Sequence, residues 1–542
     1  MDNYFVSSCK RVKDWICRQF GQKEKKTVHH KKLADGGEVI VWETGRAGEE
    51  AASYENLFLR KEIVGFRTNI RREQSCSIKS LTRDYLYKQL LSSGEYTFDH
   101  MLVIKDPYGE APLTALALFI LEEPACVRVT TKGNLKETDF VTELPKKKEH
   151  RVPILGMYAE KANDIVIEIL DDEGNCVKSH TFTIRTKRLP KSLRNVITVK
   201  KWTDKPAYSN IMINGGVKIH TCVFDIEGQI RYYLSRKPRG YGIFPLSDGH
   251  FFYMEKYISV PSYSNPQTVE SYDMDYFGRV FRTYLTEKGV HHTAEEKAGG
   301  NILTGSNSML EHTEDCVIEI DRQTGEIVWQ LNMAEIFDET YQNMMDWCHV
   351  NSAAYYEKDR TILISLRNVH AVICVDYDTK KLRWILSDPK FWEGTKMTPY
   401  LLQPEGDVKW CYQQHAAFEI ALPDESNPQK KRIIVYDNHW AKRRKAKSFD
   451  KDPLSYVSFY DIDEEKKTVS LHKRFAGPKT RIRANGIYVP DKKRVYNMAG
   501  SYAEPVDGDG GGIFEYDYET GEVLSEFGVK PGFFRAYPFE PN

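Results

Sequence analysis

Six times along the C-terminal two-thirds of the chain, an apolar run ends in an Asp-opened turn and resumes as a second apolar run. The copies begin at Phe224-Asp225-Ile226-Glu227-Gly228, Met274-Asp275-Tyr276-Phe277-Gly278, Ile320-Asp321-Arg322-Gln323-Thr324-Gly325, Val375-Asp376-Tyr377-Asp378-Thr379, Tyr460-Asp461-Ile462-Asp463 and Tyr516-Asp517-Tyr518-Glu519-Thr520-Gly521. An Asp carboxylate accepts hydrogen bonds from the backbone two residues on, and Gly accepts a positive φ, so each copy reads as a hairpin turn between strands. The Asp positions are separated by 50, 46, 55, 85 and 56 residues. A period of ~50 residues accommodates one four-stranded propeller blade, so the repeat predicts a mainly β chain with a six-bladed β-propeller. The long interval between Asp376 and Asp461 then holds an insertion of ~30 residues. Leu246-Ser247-Asp248-Gly249, Lys297-Ala298-Gly299-Gly300 and Pro490-Asp491-Lys492-Lys493 are further turns, and the run before each would line the central channel.

Turn signals and short apolar runs also separate residues 96–195, a small β-sandwich domain, from the propeller catalytic domain at 196–542. Residues 1–95 form a partly helical, basic N-terminal extension. There Phe5, Cys9, Val12, Ile16 and Phe20 recur at helical spacing, before a lysine-rich stretch from Lys23 to Lys32. That pattern fits an amphipathic helix docked on its own protein, and also a peripheral membrane contact by residues 1–32. A second amphipathic helix is expected over Ile78–Leu91, with Leu81, Tyr85 and Leu86 on one side.

Composition excludes several classes. Lys+Arg and Asp+Glu number 77 each, which gives no charge argument for nucleic acid. No stretch reaches the ~18 apolar residues of a membrane span, and no apolar segment follows the first basic residues as a secretory signal would require. Val6-Ser7-Ser8-Cys9 has the look of a lipoprotein cleavage site without the apolar segment that should precede it. The ten cysteines include no CxxC, so reduced thiols in a cytoplasmic protein are expected. Asp507-Gly508-Asp509-Gly510-Gly511-Gly512 suggests a calcium loop but lacks the later ligands, and a hairpin loop explains it better. Lys430-Lys431-Arg432 and Lys442-Arg443-Arg444 read as solvated faces.

Polar residues on or beside the inferred channel strands carry the chemistry: His291 and His292, His349 in His349-Val350-Asn351-Ser352, Arg367, and His415 in Gln414-His415. One such histidine is ordinarily a hydrogen-bonded core residue. Three consecutive blades with a histidine at the same place, and an arginine nearby, point instead to a shared site. An anion-binding site and a metal site both remain open, although the short motifs supply no obvious carboxylate.

These residues resemble a known family, the bacterial aryl-sulfate sulfotransferases that use no nucleotide sulfate donor. The resemblance covers residues 96–542. It rests on Asp106-Pro107-Tyr108-Gly109 with Ala111-Pro112-Leu113-Thr114-Ala115-Leu116, on His349-Val350-Asn351-Ser352, on Arg367 and on Gln414-His415. Val152-Pro153-Ile154-Leu155-Gly156 and Arg383-Trp384-Ile385-Leu386 add to it. It implies a sulfuryl transfer from an aryl sulfate donor to a phenolic acceptor, ping-pong, with no cofactor and no metal. His415 would be the nucleophile that becomes sulfated. His292, His349 and Arg367 would hold the sulfuryl group, with Asn351, His291 and Asn485 as polar neighbours. Family members can form homodimers. The chain departs from the family in Asn368-Val369, where His-Gln is expected, in Asn485 for a threonine, and in Cys411, which has no cysteine close in sequence to pair with. An aryl sulfate hydrolase, a non-catalytic ligand-binding propeller and a metal-dependent propeller are the rival readings.

Overall fold

The long strand Ala115–Thr131 organises the N-terminal part of the molecule. The computed structural model describes residues 28–33, 37–43, 76–203, 205–216, 218–236, 241–258, 267–308, 312–342, 344–422, 427–440 and 452–540. The helix expected over Phe5–Phe20 and the run Lys442-Arg443-Arg444 lie outside them. The first half of the long strand pairs with His100–Lys105, its second half with Ala162–Leu170, and Phe140–Ile154 follows its other edge throughout. Register breaks fall between Ile120 and Val127, around Pro124, which has no N–H to give to a ladder. The bent sheet folds back on itself. Alternate residues Met101, Val103, Ala117 and Phe119 of one half share a core with Val127, Val129, Ile165 and Ile167 of the other.

The extension contributes to this sheet. Val28–Lys32 pairs antiparallel with Glu38–Glu43, which pairs parallel with His100–Lys105. Helix Cys76–Ser92 covers its outer face. The buried side of the helix is Ser80, Tyr87 and Leu91, packed on Ile40, Leu102, Leu116 and Leu118. Of the three residues expected on one side, Leu86 packs against this core, while Leu81 and Tyr85 are 68% and 54% exposed. Polar contacts turn the helix the other way: Asp84 takes hydrogen bonds from Tyr108 and Arg279, and Ser80 Oγ from Val280 N–H at 2.8 Å.

The remaining strands form five antiparallel-dominated sheets in a propeller-like arrangement. Five of the six repeat turns form as expected, with Asp225, Asp275, Asp321, Asp376 and Asp517 each accepting backbone N–H bonds at 2.8–3.1 Å. In the other copy Asp463 opens the turn, while Asp461 lies within strand Leu454–Asp463 and pairs with Arg432 at 2.6 Å. One sheet has seven strands because a single strand, Val280–Glu296, serves two neighbours. Its first half pairs with Gln267–Met274 and its second half with Ile302–Ser306. The termini of the region interlock: Ile197–Lys201 adds to the last sheet beside Val523–Val529, and C-terminal Arg535–Pro538 pairs with Asn210–Asn214 in the first.

One basic run departs from the solvated face expected of it, and the acidic run forms the expected hairpin. Lys431 is buried among Asp359, Glu419 and Glu464, because strand alternation turns it inward. In the Asp507–Gly512 hairpin, the Lys200 ammonium lies 3.0 Å from Asp507 and 3.4 Å from Asp509, where a calcium reading would put the cation. Cys126, Cys176, Cys222, Cys316, Cys348, Cys374 and Cys411 are free thiols. Among the described residues, no helix is long and apolar enough to cross a membrane.

Candidate active site

One terminal strand from each of the five sheets and the second half of Val280–Glu296, from the middle of its sheet, lie side by side, and the site is built where they meet. Gly242–Pro245 follows Tyr241, the second half of Val280–Glu296 carries His291 and His292, and Val350–Tyr356 follows His349. His415–Ile420 opens on His415, Asn485–Val489 follows Arg483, and Arg535–Pro538 follows Phe534. In three of them the ladder slips next to the histidine, between His291 and Ala294, Val350 and Ser352, and His415 and Phe418. These bulges re-aim side chains that would otherwise alternate across the sheet. The backbone is left-handed at His292 (φ 58°), His349 (59°), Gln413 (49°), Ala416 (50°) and Arg483 (69°), none of them glycine. Such strain, about 1–3 kcal/mol per residue, collects at functional sites.

His415 is buried and held by Asn438, whose Oδ1 lies 2.6 Å from His415 Nδ1. Asn438 Nδ2 donates to Thr480 Oγ1 at 2.9 Å and to the Arg483 carbonyl at 3.2 Å, which fixes the amide orientation. Oδ1 can therefore only accept, so Nδ1 of His415 carries the proton and Nε2 presents a lone pair. The Arg483 N–H approaches that nitrogen at 3.3 Å. Burial, with the charges of Arg367 and His349, drives the His415 pKa well below the ordinary histidine value, so the ring is neutral.

His349 is its opposite. Its Nδ1 lies 2.5 Å from Glu314 Oε2 and 2.9 Å from Asp346 Oδ2. Burial opposes the imidazolium, but Asp346 and Glu314 outweigh it and raise the pKa to about 9. Burial also works against the Glu314 carboxylate, yet His349 and His292 hold it ionised, well below the usual range. The His292 ring is 4.7 Å from His349 and 4.3 Å from Tyr241, whose hydroxyl donates to Glu314 Oε1 at 3.1 Å. Burial lowers the His292 pKa well below its usual value.

The site unites His415, His349, His292 and Arg367. Arg367 is oriented by Gln413 Oε1 at 3.0 Å and Asn368 Oδ1 at 3.2 Å. The other three expected residues sit behind them. His291 donates from Nε2 to the Ser306 carbonyl at 2.8 Å and accepts a hydrogen bond at Nδ1 from His292 Nδ1 at 3.1 Å. Its ring lies over Gly305, where an added Cβ would come 2.6 Å from His291 Cε1. Asn351 Nδ2 bonds the Gln414 carbonyl at 2.8 Å, steadying the backbone before His415. Asn485 is engaged by the Ala536 backbone at 2.8 and 3.1 Å, so it ties in the C-terminal strand.

Sequence reading missed Glu314, Asp346, Tyr241, Asn438, Gln413 and Arg535. Asp346, three residues before His349, was the one with a local signal. The lack of carboxylates in the motifs is corrected here, because Glu314 arrives from a separate loop. His291, His292 and Glu314, and likewise Glu314, Asp346 and His349, place ligand atoms within 4.8 Å of one another, a set that could also hold a metal ion.

Residues 195–535 match the family model described as arylsulfotransferase (ASST). The chain belongs to the arylsulfotransferase family. Residues 102–187 match the arylsulfotransferase Ig-like domain, which identifies the bent sheet. This arylsulfotransferase-family enzyme is 22% identical to the arylsulfate sulfotransferase AssT of Lelliottia amnigena, over 79% of the chain and 90% of that protein. It is 23% identical to the protein of the same name from Escherichia coli O6:H1 (strain CFT073), with the same coverage.

Proposed function

We propose that the protein moves a sulfuryl group from an aryl sulfate ester to a phenol by a ping-pong route through a sulfated His415. The observation that carries this reading is the neutral His415 with its lone pair on Nε2, set beside the His349 imidazolium and Arg367. In the first half-reaction Nε2 attacks sulfur. The N–S bond forms, the S–O bond to the donor breaks, and the phenoxide takes the proton on His349 Nε2. A pKa of about 9 for His349 lies close to the ~10 of a phenol, so that transfer is nearly balanced. Asn438 accepts from the charged ring while it is sulfated. An acceptor phenol then returns its proton to His349 and takes the sulfuryl group, regenerating neutral His415. Arg367 stabilises the sulfuryl oxygens through its planar fork, and positioning with charge stabilisation does most of the catalytic work.

Six strand-starts around one site favour six blades, two of them joined by Val280–Glu296, and a division into an Ig-like domain over 96–195 and a propeller over 196–542. The test is phenol release from a chromogenic aryl sulfate, with no nucleotide sulfate, with and without a second phenol. Release that depends on the second phenol, with its sulfate ester as product, is expected. Release that ignores it identifies a hydrolase.

A further inference from the structure

The side chain of Arg483 has no role in the steps above. Its main chain is pinned: the N–H faces His415 Nε2 at 3.3 Å, the carbonyl takes the Asn438 amide at 3.2 Å, and φ is 69°. Its guanidinium is different. The NH1 atom is buried without a hydrogen-bond partner, and among the described residues no carboxylate lies within ion-pair distance of it.

Other buried cations of the molecule are compensated. Arg231 has Asp225; Arg322 has Asp273, Asp248 and Glu296; Lys431 has three carboxylates. Burying a charge without a partner is costly enough that unpaired cases call for an explanation. A second cation adjoins this one. Among the described residues, the Lys218 ammonium donates to the Pro531 carbonyl at 2.8 Å. Burial, and then the charge of Arg483, lower the Lys218 pKa, while Arg483 is itself lowered by burial with partial relief from Tyr241. The charge of Arg483 is felt at Tyr241 and Lys218, while Arg367 leads the charges that act on His415. Two half-buried cations, Arg483 next to His415 and Lys218 within reach of its charge, lack an anion that a ligand can supply.

We propose that Arg483 and Lys218 form a second anion subsite next to the transfer centre, which holds a carboxylate carried on a short side chain of the phenolic substrate's ring. This rests on the sulfuryl-transfer reading and names the class of phenol it serves. This cation pair takes no part in the transfer steps, so the anion it holds sets which phenol binds, and its removal changes selectivity between phenols.

The test compares 4-hydroxyphenylacetate with its methyl ester as acceptors from one chromogenic donor, in the wild-type chain, Arg483→Met, Arg483→Lys and Lys218→Met. A charge-assisted contact of about 1.5–3 kcal/mol corresponds to a roughly 10–150-fold preference for the acid in kcat/KM. Arg483→Met is expected to abolish that preference, Arg483→Lys to keep part of it, and Lys218→Met to weaken it. No preference in the wild-type chain, or an Arg483→Met protein that slows acid and ester equally, overturns the subsite. Calorimetric binding of the same acid and ester separates this from failure of the transfer reading. Tighter binding of the acid that is lost in Arg483→Met upholds the subsite even if neither compound is turned over. Equal binding of acid and ester rejects it even if transfer occurs.

Discussion

At the residue scale, the site depends on two histidines held in opposite protonation states. Asn438 holds His415, the proposed nucleophile, in the tautomer with Nε2 unprotonated, so Asn438→Leu is expected to lower kcat by about 10²–10⁴-fold with little change in KM, as loss of a tautomer-fixing partner does elsewhere. Steady-state kinetics with a chromogenic donor reads this, and a KM effect alone would mean that Asn438 only shapes the pocket. His349 sets the alkaline limit. Its pKa is about 9, so the acid form is present below that value and lost above it. Asp346→Asn removes one of the two carboxylates and should move the alkaline limb of the kcat/KM profile towards neutrality. The same shift links to folding: a histidine raised from its unfolded ~6.5 contributes stability that is complete below ~6.5 and disappears as pH rises through about 9. The histidines of the candidate site could be picked out in the sequence because each lies on or beside an inferred channel strand. Asn438, Glu314 and Gln413 were not, since their roles arise from loops that meet only after the sheets assemble.

At the element scale, the repeat was legible because an Asp-opened turn is local chemistry, decided within about four residues. Its slip from Asp461 to Asp463 shows the limit of that reading, since which of two aspartates turns the chain depends on Arg432 across the ladder. The face of helix Cys76–Ser92 was misjudged for a related reason. Apolar spacing favoured Leu81 and Tyr85, but Asp84 and Ser80 bond to a propeller strand that sequence could not place there. The Ig-like domain meets the propeller through Arg231, which is fully buried. It donates to the Gly156 carbonyl at 2.8 Å and the Thr138 carbonyl at 2.7 Å, and pairs with Asp225 at 3.3 Å. Removing one partner of such a pair strands the other charge, so Arg231→Met should cost about 3–5 kcal/mol in denaturant unfolding. A cost under 1 kcal/mol would show that water reaches this junction.

At the scale of the whole molecule, strands far apart in sequence converge so that residues from six positions along the chain share one site. Histidine, arginine and carboxylate thus meet in a buried setting that no local segment could provide, and Arg535 on the last strand reaches across to the Asn351 carbonyl at 2.7 Å. The order of these pieces along the chain was readable, but the left-handed backbone that aims them was not, because residues other than glycine adopt it there. The central claim is that this assembly carries the sulfuryl group on His415 between two phenols. The most direct measurement mixes the protein with a chromogenic aryl sulfate and no acceptor, quenches in alkali, and maps the modified residue by mass spectrometry alongside the phenol burst. The account predicts a burst of about one phenol per chain and a sulfuryl group on His415, both lost in His415→Ala. A burst without modification of His415, or full turnover by His415→Ala, would contradict it.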